Sequence, residues 1–381
     1  MLELPSFTFV PGWLYVPLFD WMILLLVLTT VAKCNDGTVY KWNSSPQTRF
    51  WGSIFGLFVI IYIGLRPVSW PEYHMFVDSF NYKEEIYYLK EFGYDSWLDA
   101  NPFHEKEWLY ACIRAISAVY ADEHLAFLIC SIVYVGCPLL YCQREFGKQW
   151  FIPFLMICAA FSFFAYGANG VRNGMAASIV ILAFSFRDKL WIAAILCFLA
   201  LGVHKSMLLL IASALLCWKV TNPRLYIAGW LLCILAAAVA GPSLSTAIAS
   251  SGVIEDERFT SYGIRKASGG YYTGFRADFI LYSSLPIITG AYFIFKKKYQ
   301  DTIYIWLYNI YITANAFWVL MMYASFSNRF AQLSWFIMPI VCIYPWMKEQ
   351  FWINGQKKKM GTYILICYFY TFFSHFIMKI I

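Results

Sequence analysis

The chain has 381 residues, of which 61% are hydrophobic, 20% aromatic and only 13% charged. Soluble domains carry about 25% charged residues, so one water-facing core cannot hide this much apolar surface, and a soluble enzyme, a disordered chain and a secreted disulfide scaffold are excluded. The formal net charge of +7 is then read first as membrane topology, not as affinity for nucleic acid.

A span is expected wherever about 17–25 mostly apolar residues can cross roughly 30 Å of hydrocarbon. The apolar runs are helix-length and not short alternating strands, so the fold class is an all-α polytopic membrane protein and not a barrel. The first run, 12–32, is long enough to span and has no Lys or Arg before it, so it reads as a span and not as a cleavable leader. The second is 50–66. Segment 66–123 mixes acidic residues such as Glu84, Glu85, Glu105 and Glu107 with many aromatics. It predicts one or two short interfacial helices, with Trp97, Trp108 and Tyr110 at headgroup depth.

Further spans are expected at 124–142, 150–168, 172–186, 190–204, 206–218 and 226–247. Those between 172 and 218 are short, and a re-entrant pair is the alternative there. Segment 248–277, rich in Gly, Ser and Tyr, predicts an ordered loop or flap. Spans at 278–295, 303–323, 330–347 and 361–378 bring the total to about twelve transmembrane helices in one integral membrane domain, residues 1–381. The two long segments exceed ordinary connection lengths, which favours a functional role for both. No internal repeat of the kind that marks secondary transporters is visible.

Basic residues set the sidedness. With the N-terminus outside and every span alternating, the inner loops hold Lys33, Lys41, Arg49, Arg144, Lys148, Arg187, Lys189, Lys219, Arg224, Lys296, Lys297, Lys298, Lys348, Lys357, Lys358 and Lys359, more than half of the 29 basic residues. The short outer connections hold only Arg172, Lys205 and Arg329. The long segments 66–123 and 248–277 then both lie outside.

Polar groups at span edges are costly unless paired or used. In this topology they gather on the outer side. Asn169, Arg172 and Asn173 lie between spans four and five, and His204, Lys205 and Ser206 between spans six and seven. Arg258, Arg265 and Arg276 lie in the second long loop, Asn328 and Arg329 at the outer end of span eleven, and Arg66 and Asp78 where the first long loop opens. Arginines set against the inside preference point to an anionic ligand, because a guanidinium fork binds phosphate in a bidentate manner. Singly, each has a plainer reading: an arginine at a span edge snorkels or touches lipid headgroups, and a histidine there is structural. No Walker loop, GxGxxG, GxSxG, HExxH or EF-hand occurs, and no metal or cofactor is assigned. The 11 cysteines are scattered without a CxxC pair and read as small buried hydrophobes.

Four motifs in order resemble the EpsG-like, Wzy-type membrane polysaccharide polymerases. They are GLRPVS at 64–69 with VDSFNY at 77–82, NGVRNGMA at 169–176, LGVHKSMLLL at 201–210, and FSNRFAQLSWF at 326–336. Asn173 stands where the family usually carries glutamine. The resemblance implies a bacterial inner-membrane glycosyltransferase of GT-C-like architecture, free of metal and nucleotide sugar. Such an enzyme would join undecaprenyl-diphosphate-linked oligosaccharide repeat units, both donor and acceptor, at the periplasmic or outer face. Membrane lipids are implied partners, a flippase and a chain-length regulator are candidate ones, and nucleic acid is not. It would serve O-antigen, capsule or exopolysaccharide assembly.

On this reading Arg172, Arg276 and Arg329 neutralise the diphosphate with Arg258 as a loop-borne helper. His204 acts as general base or orients the acceptor. Arg66, Asp78 and Tyr82 shape the acceptor groove, with Asn169, Asn173, Lys205, Ser206 and Asn328 as further binding residues. A flippase for the same lipid, an O-antigen ligase-type transferase and a histidine-dependent acyltransferase are the rival readings.

Overall fold

The structure is a computed structural model describing residues 3–69, 72–250, 274–324 and 327–376. Arg258 and Arg265, with residues 251–273 of the predicted flap 248–277, lie outside the described residues. The described residues are helical, without strands. In chain order the helices are α1 (Gly12–Asn35), α2 (Val39–Asn43), α3 (Pro46–Gly64), α4 (Val77–Glu91), α5 (Trp108–Tyr120), α6 (Glu123–Phe146), α7 (Phe151–Cys158), α8 (Phe163–Ala168) and α9 (Val171–Phe184). There follow α10 (Leu190–Val203), α11 (Met207–Lys219), α12 (Pro223–Ser250), α13 (Ala277–Ala291), α14 (Thr302–Met321), α15 (Asn328–Trp335), α16 (Met338–Lys348) and α17 (Gln356–Phe376).

Each predicted span carries helix, but among the described residues six helices are both long and apolar enough to cross a membrane: Gly12–Asn35, Glu123–Gln149, Pro223–Ile248, Ala277–Lys296, Thr302–Met321 and Asn328–Lys348. Shorter apolar helices accompany them at Trp108–Tyr120, Val171–Phe184, Leu190–Val203 and Met207–Lys219. Large side chains such as Leu25, Trp51, Leu57, Trp191 and Phe198 remain exposed along the helices. In water that would be a liability; against lipid it costs nothing. This is a multi-pass membrane protein. The 11 cysteines form no disulfide with one another, and seven of them are buried.

Local chemistry sets the helix starts. Ser45 caps α3 by accepting the Thr48 amide, with Pro46 pre-set in the first turn. Asp122 caps α6 through the His124 amide, and Asp301 caps α14 through the Tyr304 amide. The predicted span 150–168 is interrupted between Cys158 and Phe163, and a second break at Asn169 and Gly170 separates α8 from α9. Broken helices are tolerated at membrane depth only where protein groups meet the freed backbone. Here the Ser79 hydroxyl donates to the Ala168 carbonyl and Tyr134 donates to the Phe163 carbonyl at 2.7 Å. Gly174 permits the close return of α9: a Cβ there would lie 2.7 Å from the Tyr166 carbonyl oxygen.

The chain divides into two compact units, residues 1–207 with 346–381, and residues 208–345. In the first, α6 packs against α3, α5 and α9, α9 packs against α10, and α1 lies along α17. Helix α9 is enclosed along most of its length, so its first turn is held rigidly. Between α1 and α17, His375 Nδ1 lies 2.8 Å from Asp20 Oδ2, with both side chains buried. Breaking a buried pair strands its partner. Asp20→Ala is therefore expected to cost about 3 kcal/mol, read as a lower unfolding temperature of the detergent-solubilised protein; an unchanged temperature would show that the pair is not needed for stability. In the second unit, Trp230 donates to Asn315 Oδ1 at 2.8 Å, Asn315 donates to Ser334 at 3.0 Å, and Trp335 donates to Ser283 at 2.8 Å. These bonds tie α12, α13, α14 and α15 together.

Candidate functional site

The break between α8 and α9 leaves the N-terminus of α9 without a capping side chain, because Gly170 precedes it. First-turn amides and the helix dipole give that end a positive character. Arg172 adds a full charge in the same turn. Its guanidinium lies over the rings of Tyr82 and Tyr110, 5.2 and 5.4 Å from their centroids, and its Nε donates toward the Tyr82 hydroxyl at 3.4 Å. The two rings meet edge to face at 5.7 Å. Burial holds the Tyr110 phenol well above its ordinary pKa, and neighbouring Tyr82 adds to this. Tyr110 is therefore a neutral aromatic face for the cation.

A carboxylate that the sequence did not single out completes the arrangement. Glu107 Oε2 accepts from Arg172 Nη1 at 2.7 Å, while its other oxygen, Oε1, lies 3.8 Å from His204 Nδ1. His204 ends α10 in extended conformation. Its Nδ1 is 2.9 Å from the Ser206 hydroxyl and accepts the Ser206 amide at 3.2 Å. Ser206 in turn donates to Asn173 Oδ1 at 3.3 Å. Five sequence-predicted residues, Tyr82, Arg172, Asn173, His204 and Ser206, thus share one network, whose centre is Glu107.

Packing holds Glu107 in place. Trp108, the next residue, lies between Phe103 and Phe198, with centroids 6.1 and 5.8 Å away, and rests on the backbone of Gly202. A Cβ on Gly202 would come within 2.7 Å of the indole. Arg114 on α5 also bridges Glu85 at 2.9 Å and Glu105 at 2.5 Å, fastening α5 to α4. Gly202→Ala is expected to push α5 outward and lower activity on the order of tenfold. Gly136→Ala, where a Cβ meets nothing within 4 Å, should leave activity unchanged. Initial rates of the two variants at equal membrane content check this. Trp108 and Tyr110 both pack on protein: Tyr110 is buried against Tyr82, and the half-buried Trp108 lies against Phe198 of α10.

The other candidates fall elsewhere. Arg66 is fully buried: it donates to Ser79 Oγ at 3.0 and 2.7 Å and to the Ile63 carbonyl at 2.7 Å, and lies 4.0 Å from the Phe127 ring centroid. Its three nitrogens are thus engaged by the protein, which gives it a bracing role between α3 and α4. Asn169 donates to the Met75 carbonyl at 2.5 Å, joining the helix break to the start of the first long segment. Asp78 is half-buried in the first turn of α4, and Lys205 is exposed. Arg276, Asn328 and Arg329 belong to the second unit. There Arg276 forms a two-point pair with Asp278 at 3.0 and 2.6 Å and covers Phe279. Asn328 and Arg329 open α15.

The fold and the network define a multi-pass membrane protein with a cationic, histidine-containing cluster at a helix break. The EpsG family model matches residues 49–381, and the chain belongs to that family, a Wzy-like polysaccharide polymerase family. No curated protein and no solved structure matches the chain.

Proposed function

We propose that the protein is a polymerase that joins undecaprenyl-diphosphate-linked oligosaccharide repeat units at the outer face of the bacterial inner membrane. The observation that carries this reading is the single network of Arg172, Glu107 and His204 at the break before α9. A sugar on a lipid diphosphate needs a fixed cation for its leaving group and an acceptor for the hydroxyl proton. Arg172 supplies the first and His204 the second, with Tyr82, Asn173 and Ser206 around them.

Arg276 and Arg329 in the second unit, and Arg258, are further candidate diphosphate ligands, and Asn328 and Lys205 further binding residues; alanine substitution tests each separately. Asp78 and Asn169 are proposed to border the acceptor path, and Arg66 to brace it. Twelve crossings with both termini outside, a GT-C-like arrangement and a metal-independent reaction belong to the same proposal. So do donor and acceptor both carried on undecaprenyl diphosphate, and O-antigen, capsule or exopolysaccharide as the product class.

The test is lipid-linked glycan length in cells lacking the protein and in cells complemented with it. Without it, single repeat units should accumulate on the carrier at the outer face; with it, a ladder should return. Units held at the inner face would instead identify a flippase, and a full ladder ending at one defined acceptor lipid would identify a ligase.

A further inference from the structure

We infer that Glu107 is a positioning residue that occupies Arg172 in the resting state and passes to His204 when the donor diphosphate arrives. This rests on the polymerase reading above. In the structure one carboxylate faces both functional groups. Oε2 is bonded to Arg172 at 2.7 Å, whereas Oε1 stands 3.8 Å from His204 Nδ1, beyond hydrogen-bond length. Arg172 is thus held by an anion of the protein's own, in the position that a phosphate oxygen would take.

The histidine is correspondingly unready. In the tautomer in which Nδ1 accepts the Ser206 amide at 3.2 Å, the ring proton is on Nε2, and Nε2 cannot take another without forming the imidazolium. A base acting through Nε2 needs the other tautomer, with Nδ1 donating. Glu107 is the carboxylate placed to accept that donation. A diphosphate brings more charge than a carboxylate and can engage the guanidinium fork on two oxygens. When it binds Arg172, Glu107 is released toward Nδ1, and the ring changes tautomer through solvent: Nε2 gives its proton to water and Nδ1 takes one from water and donates it to Glu107. The acceptor hydroxyl then gives its proton to Nε2 as its oxygen bonds to the anomeric carbon. The bond from that carbon to the diphosphate oxygen breaks, and the lipid diphosphate leaves with the electron pair. The imidazolium, paired with Glu107, later returns its proton to water. Donor binding and base activation are coupled through one side chain, which keeps the base idle until a donor is in place.

The experiment compares wild type, Glu107→Gln and Glu107→Asp in lipid nanodiscs. It measures binding of undecaprenyl diphosphate itself, and polymerisation of lipid-linked repeat units. Glu107→Gln should bind the lipid diphosphate about fivefold tighter, because the competing charge is gone, while kcat falls on the order of 10²-fold. Glu107→Asp should recover part of kcat and return the affinity toward wild type. A Glu107 that only holds the fold would weaken both measurements together, and that result, or unchanged kcat in Glu107→Gln, overturns the inference. If wild type makes no polymer, the polymerase reading fails. The binding arm then decides alone: tighter binding by Glu107→Gln upholds the displacement, and equal or weaker binding ends it.

Discussion

Replacing Arg172 by alanine is expected to lower polymer synthesis on the order of 10³-fold. Three features of its surroundings concentrate the effect. The guanidinium is mostly enclosed, at 14% side-chain exposure, so its charge is only partly screened. It sits in the first turn of a helix whose dipole points the same way. Two tyrosine rings flank it and hold its orientation, so little reorganisation of the guanidinium is needed when charge develops on a leaving diphosphate. Arg172→Lys keeps the charge but loses the planar fork and the stacking, and should recover only a small part of the rate. Initial rates of chain growth in nanodiscs, with folding checked by gel filtration, measure both variants. Activity of Arg172→Ala within a few-fold of wild type would remove this residue from the site.

Hydropathy made the helices legible, because a span must be long and apolar whatever its neighbours are. It did not reveal the interruption between Cys158 and Phe163, since the sequence there, with Ala159, Ala160 and Phe161, remains apolar. That break is set by distant partners such as the Tyr134 hydroxyl on the Phe163 carbonyl, which no local pattern encodes. The same limit applies to the site. Arg172, Asn173, His204 and Ser206 stand out because polar residues at span edges are costly. Glu107 lies among many acidic residues in a segment of mixed charge, so its type carries no signal. Its importance comes from contacts with residues far along the chain, at 172 and 204. Arg66 illustrates the converse. From sequence it resembles a ligand-binding arginine, but the structure gives its donors to Ser79 and Ile63. An arginine used by a substrate and one used by the backbone look alike until their neighbours are known.

His204→Ala is expected to reduce turnover about 10²–10⁴-fold while leaving donor binding intact. The residue leaves α10 in extended conformation and presents its ring to Glu107 and Ser206. Its backbone amide closes the last turn of α10 on the Ala200 carbonyl at 2.9 Å, a bond that alanine keeps, so the substitution should leave the membrane fold in place. Two roles can be separated by further substitution. If His204 only orients the acceptor hydroxyl, His204→Asn keeps a polar group there and should retain a substantial fraction of the rate. If it takes the proton, His204→Asn should be as slow as His204→Ala, and added imidazole should restore part of the activity of the alanine variant. Because the proton is transferred in the bond-forming step, the deficit should appear in kcat and not in KM for the donor. Donor titrations of the three proteins at a fixed acceptor level give this directly. A His204→Ala protein with wild-type kcat would leave Arg172 and Glu107 as an ion pair without a base beside it, and the transferase chemistry would have to be sought around the arginines of the second unit.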